Sequence, residues 1–222
     1  TVVAYKRVEN VINKDEPFDY NELFESNKDM DLILTMTYEN EVPDSEIKDG
    51  KYNAWDIIQP LWYSVSIYDG VDVYNNDLKQ FSNGQRRIFA LNWYISEVCN
   101  GGHDQFFFNS TGIVWKDALE AMKMIGANKM AENLQKAVDL FGGDIPFDRE
   151  EREELLEKLC EKDDFDDFEQ IDSTYYDDED MDKLMDIYVK NHPSEFVLDG
   201  EFDFLEMEDV LKLLKQDYEN LP

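Results

Sequence analysis

The sequence is most regular between residues 82 and 102, which read SNGQRRIFALNWYISEVCNGG. Ser82, followed three residues later by Gln85, forms a capping box, a pattern typical of a helix N-terminus. Behind it, apolar residues recur at helical spacing, namely Ile88, Leu91, Ile95 and Val98. The run Asn-Gly-Gly at residues 100–102 is of the kind at which helices commonly end. This stretch therefore predicts an amphipathic helix that packs into a core.

Apolar stripes at helical spacing recur on both sides of this stretch, with short turns between them. They span residues 55–65, 115–125, 130–141, 155–159, 165–171, 181–188 and 207–214. Pro60 predicts a kink, while Asn128 and Asp148 are candidate N-caps. Gly126 and His192-Pro193 predict helix ends. We therefore expect an all-α fold, a compact array of short antiparallel helices with an N-terminal extension and an acidic C-terminal helical part.

The two ends of the chain are less regular than its middle. The stretch from Val2 to Ile12 fits either a strand or a short helix, and Asp49-Gly50 marks a loop. We expect residues 1–50 to form an N-terminal extension and residues 51–195 to form the helical domain. Residues 196–222 would then be a C-terminal acidic helical extension.

Charge is the most unusual property of the sequence. The chain has 52 acidic and 21 basic residues, a net charge of −31. Residues 144–222 carry 29 of the acidic and 8 of the basic residues, so most of the excess lies in the last third of the chain. Nucleic acids and anionic membranes bind basic patches, and the pair Arg86-Arg87 falls inside an apolar helical pattern. We expect no direct binding to nucleic acid or membrane, and a basic protein as the partner.

The acidic residues of the last third form rows along the predicted helices. They are Glu150, Glu153, Glu154 and Glu157, then Asp163, Asp166 and Asp167, and finally Asp178, Asp182 and Asp186. Carboxylates four residues apart on a helix are roughly 6 Å apart, a scale similar to that of the phosphates along a DNA strand. We expect that Arg149 and Arg152 do not interrupt the first row. We predict that these rows bind the partner; the alternative is a solvated acidic face that serves solubility.

No pattern indicates a metal or a cofactor, and we expect neither. The stretch Asp163–Asp172 lacks the glycine and the terminal glutamate of a calcium loop. Cys99 and Cys160 have no metal-ligand spacing and are expected to be buried thiols. His103 beside Asp104 would suit a general base with an orienting carboxylate, but a turn with a capping polar residue is the simpler interpretation.

Targeting signals are also absent from the sequence pattern. The apolar residues at the start are too few for the core of a signal peptide, and no run reaches the length of a transmembrane helix. We therefore expect a cytoplasmic protein.

One stretch resembles a known family. Residues 91–110, LNWYISEVCNGGHDQFFFNS, are similar to the signature of the bacterial DNA-mimic protein family. The likeness covers roughly residues 53–195 and continues through Ala118-Leu119 and Phe141-Gly142-Gly143. It implies an all-helical, acidic, non-enzymatic protein whose surface occupies the DNA-binding face of a protein such as a transcription repressor. The signature brings no catalytic residues, and the mimicry residues lie outside it.

Two functions remain open on this basis. The first is a DNA mimic, monomeric or homodimeric, that blocks a basic DNA-binding or regulatory protein. The second is an immunity or antitoxin-type protein that neutralises a toxin such as a basic nuclease, through the same acidic surface. An enzyme that uses His103 is a third and weaker alternative.

Overall fold

A computed structural model of the chain describes residues 36–161, 167–174 and 179–204. Within these ranges the chain forms nine α-helices, three 3-10 helices and two strands. The α-helices are α1 (Asp44–Lys48), α2 (Ala54–Ser64), α3 (Val71–Asp77), α4 (Asn83–Phe108), α5 (Trp115–Ile125), α6 (Asn128–Leu140), α7 (Arg149–Cys160), α8 (Asp167–Ser173) and α9 (Met181–Asn191). The 3-10 helices are Leu78–Gln80, Ser110–Val114 and Pro193–Glu195. The strands β1 (Met36–Val42) and β2 (Leu198–Phe204) pair in a two-stranded sheet.

The prediction of an all-α array of short helices is confirmed, with the β1–β2 sheet as an addition. The sequence did not predict strand β2, because its residues, LDGEFDF, interrupt an apolar alternation with a glycine. The predictions for Val2 to Ile12 and for a helix over residues 207–214 fall outside the described residues. The chain divides into two compact units, Glu41–Leu198 and a second unit made of residues 1–40 and 199–222.

Helix α4 is the centre of the Glu41–Leu198 unit, and α2, α5, α7 and α8 all pack against it. Its capping box is confirmed, since the Ser82 hydroxyl accepts from the Gln85 N–H and the Gln85 side chain accepts from the Ser82 N–H. The predicted apolar stripe is buried at three positions and half-buried at Ile95. The regular stretch of sequence is therefore the element around which the helices assemble.

The predicted end of helical geometry at residues 100–102 is confirmed, and α4 consists of two helical segments that meet at this point. Gly101 and Gly102 leave helical geometry, and the chain then resumes a helix that continues to Phe108. Gly102 has a φ of +75°, in the left-handed region that favours glycine. The two glycines thus end the first helical segment and produce a sharp kink before the second segment.

The other predicted helix boundaries agree with the structure except at one position. Gly126 adopts the left-handed conformation that ends α5, and the Asp148 side chain accepts a hydrogen bond from the Glu151 N–H at the start of α7. Asn128 is not a cap, because α6 begins at this residue and its side chain makes no capping hydrogen bond. Across the described ranges, no helix combines the length and apolarity needed to cross a membrane.

Candidate functional site

The first predicted acidic row lies on helix α7. Glu150, Glu154 and Glu157 are exposed, whereas Glu153 is half-buried. Two same-helix ion pairs reduce the free charge of this row, from Arg149 to Glu153 at 2.7 Å and from Lys158 to Glu154 at 3.6 Å. The expectation that Arg149 leaves the row uninterrupted is therefore wrong, because its guanidinium lies one turn from Glu153.

Two carboxylates of the α7 row have no ion-pair partner among the residues that the structure describes. The ion pairs formed among the described residues include none to Glu150 or Glu157. These residues are seven positions apart, so they lie on one face of the helix with a rise of about 10.5 Å between them. This rise is comparable with that of three nucleotides in one DNA strand, at about 3.4 Å each.

The other two rows are only partly described. Asp163, Asp166 and Asp178 lie outside the described residues. Asp167 is exposed in the first turn of α8, so it lies on a different helix from the other described carboxylates of the rows, which are on α7 and α9. Asp182 and Asp186 are exposed and one turn apart on α9. The Asp186 Oδ1 atom also accepts a hydrogen bond of 2.8 Å from the backbone N–H of Ala54, so this carboxylate stabilises the N-terminus of α2 as well.

Helix α7 is anchored to the central helix by Arg152, which is fully buried. Its guanidinium donates hydrogen bonds to five backbone carbonyl oxygens, those of Phe107, Asn109, Pro146, Phe147 and Asp148. The two shortest, both 2.7 Å, go to the C-terminal end of α4, where the helix dipole favours a cation. Burial lowers the pKa of Arg152 to about 10, which leaves it charged at neutral pH.

Helix α8 is anchored to the same helix by Asp172. Its Oδ1 atom accepts a hydrogen bond of 2.5 Å from the Nδ1 atom of His103 and a second, of 3.2 Å, from the His103 backbone N–H. The other ring nitrogen of His103 lies 2.8 Å from the hydroxyl oxygen of Tyr94. His103 is fully buried, so the expectation of a polar residue in a turn is wrong, and the carboxylate that orients it is Asp172 rather than Asp104.

Gly102, within the signature, and Gly112, two residues beyond it, make these two anchors sterically feasible. A β-carbon at Gly102 would overlap the Asp172 carboxylate, and a β-carbon at Gly112 would lie 2.5 Å from the Arg152 Nε atom. The glycines thus allow side chains from α7 and α8 to reach the backbone of α4. The signature connects the central helix to the helices that carry the acidic rows.

Several acidic residues stabilise the fold rather than form part of an open surface. Glu179 accepts hydrogen bonds from the backbone N–H groups of Lys129 and Met130 and so caps α6. Asp117 accepts from the Arg86 side chain and from the Tyr74 hydroxyl. Burial, together with the Asp117 charge, raises the pKa of Tyr74 far above its ordinary value. The net charge of the chain therefore overstates the charge that a partner can contact.

The sequence reasoning missed Arg152, Asp172 and Glu179 as structural residues. For Arg152 a signal was present, since it lies four and seven residues before the buried Leu156 and Leu159 and so belongs to the apolar face of α7. No comparable signal marked Asp172 or Glu179, because their partners are 69 and about 50 residues away.

The two cysteines lie at the surface. Cys99 and Cys160 are exposed, which corrects the expectation of buried thiols. In the part of the chain that the structure describes, no group of three or more His, Cys, Asp or Glu side chains is arranged to hold a metal ion.

The fold and surface define a class of acidic, all-helical proteins whose carboxylate-bearing helices are anchored to one kinked central helix. The sequence profile of the DMP19-like protein family, named for DNA mimic protein 19, matches residues 79–192, just over half of the chain. The chain belongs to this family. Comparisons with curated proteins and with solved structures gave no match. The matched segment contains both anchors and the described parts of the acidic rows.

Proposed function

We propose that this protein is a DNA mimic that binds the basic face of a cytoplasmic DNA-binding or regulatory protein and blocks it. Membership of the DMP19-like family supports a DNA-mimic assignment for the family as a whole. The observation that carries the proposal is the pair Glu150 and Glu157, two exposed carboxylates on one face of α7 with no cation from the described residues.

The anchoring of α7 gives this surface a defined geometry. Arg152 ties the helix to the C-terminal end of α4 through five carbonyl groups, so the carboxylates are carried by a fixed backbone. A preorganised surface loses less conformational entropy on binding than a mobile acidic tail would. Complementary charge also accelerates association with a basic partner and disfavours acidic ones. These properties are those required of a protein that competes with DNA.

A non-enzymatic role is part of the same proposal. His103 is the residue that best fits a general base, but its side chain is fully buried and both ring nitrogens contact protein groups, Asp172 and Tyr94. Such a histidine has no free nitrogen to present to a substrate. Its contacts support a structural role in joining α8 to α4.

The experiment compares two double charge reversals with the same charge change and the same seven-residue spacing. Glu150→Lys/Glu157→Lys alters α7, and Glu132→Lys/Asp139→Lys alters exposed positions on α6. Each variant and the unaltered protein are titrated against a panel of basic DNA-binding proteins at low and moderate salt. We expect the α7 variant to lose most of its binding and the α6 variant to retain most of it.

Two results of this experiment would contradict the proposed function. No binding to any member of the panel, or equal loss in both variants, would contradict the proposal, because equal loss depends on net charge rather than on the α7 surface. A single tight complex with one basic nuclease, without binding to other DNA-binding proteins, is the result expected of the immunity or antitoxin alternative.

A further inference from the structure

A cleft of about 350 Å³ opens where the N-terminus of α2 meets helices α4 and α9. Its lining includes Asn53, Trp55, Asn92, Asp182, Met185 and Asp186. The volume is at the lower end of that of small-ligand pockets, which suits one long side chain. The cleft is distinct from the α7 surface, and it combines an aromatic ring with carboxylates.

The aromatic wall of the cleft is an exposed tryptophan on a packed support. Trp55 is 48% exposed, which is unusual for the largest apolar side chain. Its ring centroid lies 5.5 Å from that of Trp62, which in turn lies 4.1 Å from that of Trp93. Trp55 thus packs against Trp62, which packs against Trp93, while nearly half of the Trp55 side chain faces solvent. An indole face presented in this way attracts a cation.

The polar groups of the cleft offer hydrogen-bond acceptors. Asp182 forms no ion pair with any described residue, and neither does Asp186, which is oriented by its hydrogen bond to the Ala54 N–H. The Asn92 side-chain amide donates to the Ile88 carbonyl oxygen at 2.9 Å and to the Met185 sulfur at 3.5 Å. Its donor group is therefore occupied, and its oxygen is left as a further acceptor.

We propose that this cleft binds an arginine side chain of the basic protein partner. A guanidinium group is planar, carries five N–H donors and stacks on aromatic rings, so it matches an indole face bordered by carboxylates and an amide oxygen. A lysine ammonium would satisfy the charge but not the planar stacking or the paired donors. The inference rests on the proposed function, because the partner must present basic side chains. It adds a specific contact to a surface otherwise recognised by charge.

Short peptides test the cleft directly. The probe is an acetylated, amidated Gly-Arg-Gly-Arg-Gly peptide, and the matched probe has lysine in place of arginine. Titration is followed through the indole N–H signals in ¹H–¹⁵N NMR spectra at about 150 mM salt, where long-range attraction to this acidic chain is screened. We expect the Trp55 signal to shift with the arginine peptide and the lysine peptide to bind more weakly.

Matched variants separate the cleft from general charge and aromatic effects. Trp55→Ala is compared with Tyr68→Ala, because Tyr68 is an aromatic residue with 72% exposure that does not line the cleft. Asp182→Asn is compared with Glu132→Gln, which removes the same charge from α6. We expect each cleft variant to weaken the arginine peptide at least about fivefold and each control less than about twofold. Thermal unfolding of each variant confirms that it is folded.

The possible outcomes distinguish this inference from the proposed function. Equal affinity for the arginine and lysine peptides, or equal weakening in cleft and control variants, would overturn the arginine site. If Trp55→Ala and Asp182→Asn bind the DNA-binding panel like the unaltered protein while Glu150→Lys/Glu157→Lys does not, the cleft inference fails and the proposed function stands. Arginine-specific binding at the cleft without any binding to the panel supports the site and contradicts the proposed function.

Discussion

Asp172 of helix α8 lies directly against Gly102 in the kink of helix α4, where a β-carbon would overlap its carboxylate. Gly102 also has a φ of +75°, a conformation that costs other residues strain. The glycine therefore meets two requirements, one from the backbone and one from the side chain that packs on it. In this chain, Gly102 therefore makes room for the attachment of α8 to α4.

Gly102→Ala is expected to lower the free energy of unfolding by about 3 kcal/mol, since it combines backbone strain with displacement of Asp172. Gly142→Ala is the matched control, because Gly142 has a φ of +89° but no atom within 4 Å of an added β-carbon. The control should cost only about 1 kcal/mol. Urea unfolding curves with unchanged m-values measure both. Similar losses in the two variants would show that the Asp172 contact contributes nothing.

Arg152→Met is expected to destabilise the protein by about 3 kcal/mol or more, because five backbone carbonyl groups lose a charged donor in a buried site. Arg149→Met is the control on the same helix; its ion pair with Glu153 is half exposed and should be worth less than about 1 kcal/mol. Arg152→Lys should rescue little, since one ammonium cannot reach five carbonyls. Equal urea midpoints for the Arg152→Met and Arg149→Met variants would contradict the anchoring role.

Helices with a regular apolar spacing could be predicted from the sequence. The capping box at Ser82, the left-handed end at Gly126 and the apolar stripes of α4 and α5 are local patterns, and local patterns determine helix limits. The break in helical geometry at Gly101-Gly102 could also be predicted, because a glycine run is a common helix end. The second helical segment, from His103 to Phe108, was not predicted, and its first N–H group donates to Asp172 of α8, 69 residues away.

The candidate site could be predicted less fully, for a physical reason. A helical projection shows which carboxylates share a face, but not which of them accept hydrogen bonds from distant residues. Asp186 borders a cleft and also caps α2, 132 residues away in sequence. The Glu153 carboxylate forms an ion pair with Arg149. Tertiary contacts therefore decide which charges remain available to a partner.

Alkylation of Cys160 should be slow at pH 8. Although Cys160 is exposed, partial desolvation, and then the Asp104 charge, raise the pKa of this thiol, so the reactive thiolate forms at a higher pH than in an ordinary cysteine. In a Cys99→Ser background, iodoacetamide should react more slowly with the folded protein than with the urea-unfolded protein. Below the raised pKa the rate should rise about tenfold per pH unit.

Asp104→Asn is expected to accelerate this alkylation at a fixed pH, because removing the negative charge makes the thiolate easier to form. Asp139→Asn, which removes an exposed carboxylate from α6, should leave the rate unchanged. An unchanged rate in the Asp104→Asn variant would show that the carboxylate does not act on the thiol.

Salt should weaken the complex with a DNA-binding partner, but less steeply than it weakens that partner's complex with DNA. DNA releases condensed counterions on binding, about 0.9 per neutralised phosphate, whereas a folded protein with separated carboxylates holds fewer. Binding constants measured from about 50 to 200 mM salt give both slopes. Glu150→Lys/Glu157→Lys should flatten the slope further, while Glu132→Lys/Asp139→Lys should change it little. A slope as steep as that of DNA would mean that the protein binds its partner through far more charge contacts than Glu150 and Glu157 supply.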